Sequence, residues 1–99
     1  MPPAPDDAVV HDARANEFRI ELGDAAAILA YRRTGETIVF VHTEVPESMR
    51  GHGLADRLAE AGLEFARAER LKVVAQCPFV AAYLRRHAEY ADLVRHSTT

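Results

Sequence analysis

Two hydrophobic periods divide the chain, and one gives way to the other near residue 50. Glu17-Phe18-Arg19-Ile20-Glu21-Leu22 alternates polar and apolar residues, and Thr37-Ile38-Val39-Phe40-Val41-His42 is rich in β-branched and aromatic side chains, so both predict strands. Val9-Val10-His11 predicts a shorter one. Gly23-Asp24 suits a two-residue hairpin turn and Thr34-Gly35-Glu36 makes the next turn. Between these turns, Asp24 to Arg33 sets local propensity against topology, because its four alanines with Leu29 favour helix. A ten-residue stretch between two turns fits a meander, and as a strand it places Ala25, Ala27, Leu29 and Tyr31 on one face. A strand is therefore predicted there.

Beyond residue 50 the period becomes helical. Leu54, Leu58, Ala61, Phe65 and Ala68 recur on one side, with Asp56, Arg57, Glu60, Glu64, Arg67 and Arg70 on the other, which predicts a helix from about Gly53 to Arg70 covering one face of a sheet. Glu47-Ser48-Met49 reads as the loop before it. Leu71-Lys72-Val73-Val74-Ala75-Gln76 predicts a short strand, parallel to the preceding one by the handedness of helical crossovers. Cys77-Pro78 closes that strand, and Pro78 suits the first turn of a second helix burying Phe79, Val80, Tyr83 and Leu84. The order implies an α+β fold: an antiparallel meander, then helix, strand and helix. Residues 1–8, with three prolines and two aspartates, are expected to form a disordered tail, 9–96 a single domain, and 97–99 a frayed end.

Composition narrows the function classes. Ninety-nine residues support one core and suggest one site. Twelve Lys+Arg against fifteen Asp+Glu, mostly interspersed, argue against nucleic acid as a partner. A single cysteine excludes a disulfide framework, and no apolar stretch approaches the roughly 18 residues of a membrane span. The start, Met1-Pro2-Pro3-Ala4-Pro5-Asp6-Asp7, lacks the basic and apolar regions of a signal peptide, so a cytoplasmic location is expected.

The chemistry concentrates where strand gives way to helix, at Arg50-Gly51-His52-Gly53-Leu54-Ala55. A glycine-rich turn feeding a helix start leaves backbone N–H groups unpaired in the field of the helix dipole, which makes a phosphate cradle. There is no Gly-Lys-Ser/Thr, so this is not a P-loop, and the three-glycine dinucleotide fingerprint is incomplete. The run resembles the acyl-CoA signature of the GNAT superfamily of N-acetyltransferases, Arg/Gln-x-x-Gly-x-Gly/Ala, through Arg50, Gly53 and Ala55. With His42-Thr43-Glu44-Val45-Pro46, Cys77-Pro78-Phe79-Val80 and Tyr83-Leu84-Arg85-Arg86-His87, the stretch from Val10 to Val94 looks like the small stand-alone GNAT-like domains that lack the two N-terminal helices of larger relatives. The resemblance implies acetyl-CoA as cosubstrate, held by Val45, Arg50, Gly51, His52, Gly53, Leu54 and Ala55. Its pantetheine arm would lie between strands splayed near Val45 and Gln76.

Four further residues are candidates for the chemistry. Cys77, forced out of helical conformation by Pro78, is a plausible N-cap in a field that favours thiolate; it would accept the acetyl group or line the acyl pocket, against the alternative of an inert buried thiol. Tyr83 matches the position from which GNAT enzymes protonate the departing CoA thiolate, yet Phe79, Tyr83 and His87 also form an ordinary i, i+4, i+8 core stripe. His42 and Glu44 lie two apart at the end of one strand, on one face if no bulge intervenes, and either could take the amine proton; as a packed histidine and a solvated carboxylate they would have no role. His11, His52, His87 and His96 show no metal-ligand spacing with Cys77 and no evident partner, so no metal is expected. The reading is an acetyl-CoA-dependent acyltransferase acting on an unidentified amine, a protein lysine or terminus among the candidates. Its alternatives are a non-catalytic CoA-binding module and an interaction domain with an empty cleft.

Overall fold

The computed structural model describes residues 8–51 and 53–94; most of the expected N-terminal tail, His52, and residues 95–99 with His96 and the expected frayed end lie outside the described residues. Five strands form one sheet in chain order: β1 (Val9–Asp12), β2 (Glu17–Leu22), β3 (Ala25–Thr34), β4 (Thr37–Glu44) and β5 (Lys72–Ala75). The first four are an antiparallel meander, and β5 lies parallel to β4 with Ile38 beside Val73 and Phe40 beside Ala75. The alanine-rich β3 is the central strand, paired on both edges and burying Ala27, Leu29 and Tyr31. Two ladders of backbone hydrogen bonds and a buried face outweigh helix propensities worth a few tenths of a kcal/mol per residue, roughly.

Helix α1 (Leu54–Ala68) crosses the sheet and buries Leu54, Leu58, Ala59, Gly62, Leu63 and Ala66. This face is offset from the predicted stripe, since Ala61 and Phe65 are only half-buried and Ala68 is exposed. Ala59, Gly62 and Ala66 are buried against the sheet, and the stripe of Leu54, Leu58, Ala61, Phe65 and Ala68 runs beside them because the helix rests on its smallest residues. A Cβ at Gly62 would lie 2.7 Å from Phe40 Cε1 and 3.2 Å from Leu29 Cδ2. The helix also ends two residues before the predicted Arg70, which turns left-handed (φ +58°) while the Leu71 N–H returns to the Ala66 carbonyl at 2.8 Å.

Residues 47–49, expected to be loop, form a 3₁₀ turn that buries Met49. Helix α2 (Pro78–Arg86) buries Val80 and Tyr83, with Phe79 and Leu84 half-buried. A 3₁₀ segment, Ala88–Leu93, is fastened to α1 by the Tyr90 hydroxyl donating to Glu64 (2.6 Å) and by Arg67 donating to Asp92 and to the Glu89 carbonyl (2.7 Å). Among the described residues no helix is long and apolar enough to cross a membrane.

His11 and His87, given no partner from sequence, both have one. His87 Nδ1 is 3.6 Å from Glu89. His11, on the edge strand β1, stacks on Phe18 (4.2 Å), meets Phe65 edge-on (4.5 Å) and is hydrogen-bonded to the Tyr31 hydroxyl at 2.7 Å. Desolvation lowers its pKa from the ordinary 6.5, against the opposing charge of Asp12.

Two outcomes are expected. Gly62→Ala adds a methyl against the fully buried ring of Phe40, so chemical denaturation should show a loss of about 1–2 kcal/mol, overpacking exceeding the gain in helix propensity. For His11, the folded state holds the imidazole neutral, so the unfolded chain binds more protons below its own pKa. Its contribution to stability should be complete above pH 6.5 and fall as pH drops through the folded value, and melting-temperature profiles of wild type and His11→Phe should converge on acidification.

Candidate active site

The site begins with an extra residue in β4. Ala30 faces His42 but Tyr31 faces Phe40, so Val41 is a bulge. Without it, His42 and Glu44 would continue the core-facing line of Ile38 and Phe40. With it, Thr43 pairs with Leu29 on the core side, and His42 and Glu44 turn to the solvent side with side chains 63% and 66% exposed. The two still share a face, with His42 Nε2 3.4 Å from Glu44 Oε2.

Beyond Phe40 and Ala75 the parallel pairing stops. The Gln76 and Cys77 N–H groups both donate to the Phe40 carbonyl, at 3.0 and 2.9 Å, which swings the chain off the sheet into α2. β4 runs on through 41–44 paired with β3 but not with β5, so a gap opens between β4 and β5. Cys77 stands at this gap. Its backbone is the extended N-cap of α2, its carbonyl accepting from Ala81 at 3.1 Å, but its thiol makes no cap hydrogen bond. The buried sulfur instead lies 3.0 Å from Thr43 Oγ1, across the gap.

The cradle lies at the same end of the sheet. Gly51 (φ +87°) and Gly53 (φ +69°) are both left-handed, a conformation that side chains resist. Gly53 is the N-cap of α1 and offers no side chain to its first turn; among the described residues no group accepts from the amides of Leu54 or Ala55. A Cβ on either glycine would meet nothing within 4 Å beyond its own chain neighbours. The cleft, about 390 Å³, has Val45, Leu54 and Phe79 as apolar wall and Arg50 and Asp56 at its polar rim. Arg50 Nε donates to the Val45 carbonyl at 3.1 Å, tying the end of β4 to the loop.

Tyr83 lies one helical turn beyond Phe79. Its ring stacks on His87 (4.0 Å, 20° between planes), with the Arg86 guanidinium 5.7 Å from its centroid. Burial pushes its pKa above 10, helped by Glu60, Asp56 and Glu89 and opposed by Arg86, so the phenol keeps its proton. The starts of α1 and α2 therefore bring the glycine loop and Phe79 to one cleft with Cys77 at the gap beside it, whereas Tyr83 lies one turn further along α2 and is not among the residues lining the cleft, and His42 and Glu44 face the other side of β4. His52 lies outside the described residues. Thr43, Asp56 and Arg86 escaped the sequence reading as site residues; Asp56 alone left a signal, as a carboxylate in the first turn behind a glycine cap. Among the described residues no group of three or more His, Cys, Asp or Glu side chains gathers as a metal site would require.

A strand pair parting beside an uncapped, glycine-led helix start defines the class, and the family model of GCN5-related N-acetyltransferases matches residues 17–93: the chain belongs to that family. It is 38% identical over 82 residues to protein NATD1 of Homo sapiens, covering 80% of this chain and 73% of that protein. NATD1 of Danio rerio is 33% identical over 93 residues, covering 89% and 84%. The NMR solution structure of a GCN5-like protein from Staphylococcus aureus superposes with a TM-score of 0.75 at 26% identity, over 96% of this chain and 94% of that one.

All three tyrosines have pKa values raised above 10, chiefly by burial. Ultraviolet titration of the native protein should find less than half of the tyrosine ionised at pH 10, and denaturant at that pH should release the remainder towards the ordinary value.

Proposed function

We propose that the protein is an acetyl-CoA-dependent N-acetyltransferase whose acceptor is an amine on a protein or peptide. The observation that carries this reading is the pair of first-turn amides behind Gly53, which find no acceptor among the described residues and open onto a cleft beside the gap between β4 and β5. Each dipole interaction at a helix start is worth roughly 0.3–2 kcal/mol for an anion, so several N–H groups together outweigh one solvated side chain as the grip on a diphosphate. The apolar wall of Val45, Leu54 and Phe79 suits a pantetheine arm.

Within this reading a neutral amine attacks the thioester carbonyl, forming the C–N bond as the C–S bond breaks. In this route the acceptor approaches from the far side of β4 through the gap, where His42, with Glu44 beside it, takes the amine proton, directly or through water, and the Tyr83 hydroxyl protonates the departing sulfur. The exposure of His42 and Glu44 favours an acceptor large enough to bring its own contacts. Cys77 lines the acyl end in this direct route. A second route, by way of an acetyl-cysteine, is favoured by one observation: the Thr43 hydroxyl lies 3.0 Å from the Cys77 sulfur, within hydrogen-bond distance, and holds it at the gap.

Mass spectrometry after exposure to acetyl-CoA, under native and then denaturing conditions, should detect the complex and report any covalent acetyl group, while free-thiol release measures turnover. Gly53→Val should weaken binding more than about tenfold by forcing a β-branched residue into a left-handed conformation at the cradle. Tyr83→Phe should leave binding near normal and lower the rate by about 10²–10⁴. Cys77→Ala separates the routes: loss of turnover with binding intact marks the acetyl-cysteine, and a full rate marks direct transfer. Saturable binding without thiol release would identify a CoA-binding module instead.

A further inference from the structure

We infer that Arg86 is a second cofactor-binding residue, held in reserve on Asp56 and transferred to a phosphate of CoA when the cofactor enters. The inference rests on the acyl-CoA reading of the cleft. Asp56 is the third residue of α1 and lines the cleft, so its carboxylate stands in the field that draws an anion to the helix start. Left unpaired, it would compete with an incoming diphosphate and repel it. The protein answers from the other helix: Arg86, the last residue of α2, places its guanidinium 3.1 Å from Asp56 Oδ1.

This pair is built to exchange. Its side chains are 54% and 45% exposed, and a single ion-pair contact at such exposure is held only weakly. A phosphate offers the guanidinium two parallel charge-assisted hydrogen bonds and more negative charge, so the exchange runs towards the ligand. Arg50, the arginine of the loop itself, already spends its Nε on the Val45 carbonyl. The guanidinium of Arg86 also lies over the Tyr83 ring, so its transfer would change the charge beside the candidate acid as the cofactor arrives.

The test is calorimetric titration of CoA into wild type, Asp56→Asn, Arg86→Gln and Arg86→Lys at low and high salt, with the melting temperature of each ligand-free protein. Asp56→Asn should bind CoA about threefold or more tighter, Arg86→Gln about threefold or more weaker, and Arg86→Lys between wild type and Arg86→Gln; the differences should shrink at high salt. Opposite signs are the decisive result, because a merely structural ion pair would lower the melting temperature in both variants without strengthening binding in either. Wild-type binding with Asp56→Asn unchanged or weaker overturns the role of Arg86 and leaves the cofactor reading standing. No CoA binding by wild type removes both.

Discussion

The site depends on one carbonyl. Phe40 accepts the N–H groups of Gln76 and Cys77 together, and that double acceptance ends the parallel ladder while β4 still has four residues to run. A strand edge without a partner is normally a liability, because its backbone groups seek a ladder. Here the opening lies between a helix start and a thiol, where a ligand carrying amide groups can complete it. The bulge at Val41 belongs to the same device, since it turns Thr43 towards Cys77 and sends His42 and Glu44 to the other side of the strand.

How close α1 lies to the sheet decides whether its first turn can face that opening. Gly62 lets the helix rest on the Phe40 ring, and Ala59 and Ala66 keep the rest of the contact line small. The residue that ends the ladder thus also carries the helix that supplies the amides. Packing at this density transmits displacement, so a methyl at the middle of α1 would be felt at its N-terminus. The 3₁₀ segment after α2 braces the other end through Tyr90 on Glu64 and Arg67 on Asp92.

Charge divides the site in the same way as geometry does. The glycine-led helix start is backbone and dipole, with fixed direction and no titration, while the groups proposed to move protons stand apart from it on α2 and on the solvent side of β4. Tyr83 is buried enough to keep its proton, and His42 and Glu44 stand exposed to solvent. Asp56 and Arg86 lie between these regions, one at each helix.

By itself the sequence determined the order and kind of the elements, because alternation, helical spacing and turn residues are local properties of the chain. The glycine-led start of α1 was legible too, since Gly51 and Gly53 stand directly before the helical period. The strand at Ala25–Thr34 was legible only through the turns that flank it, and the predicted face of α1 held Leu54 and Leu58 but missed Ala59, Gly62 and Ala66, whose small side chains carry little hydrophobic signal. Tertiary structure alone decided the rest: the Val41 bulge, the Thr43–Cys77 contact, the burial of Met49 and the Asp56–Arg86 pair. Each joins residues or strands whose meeting depends on how separate segments pack, and a register or a crossing distance is set by the sum of all contacts, which no local pattern encodes.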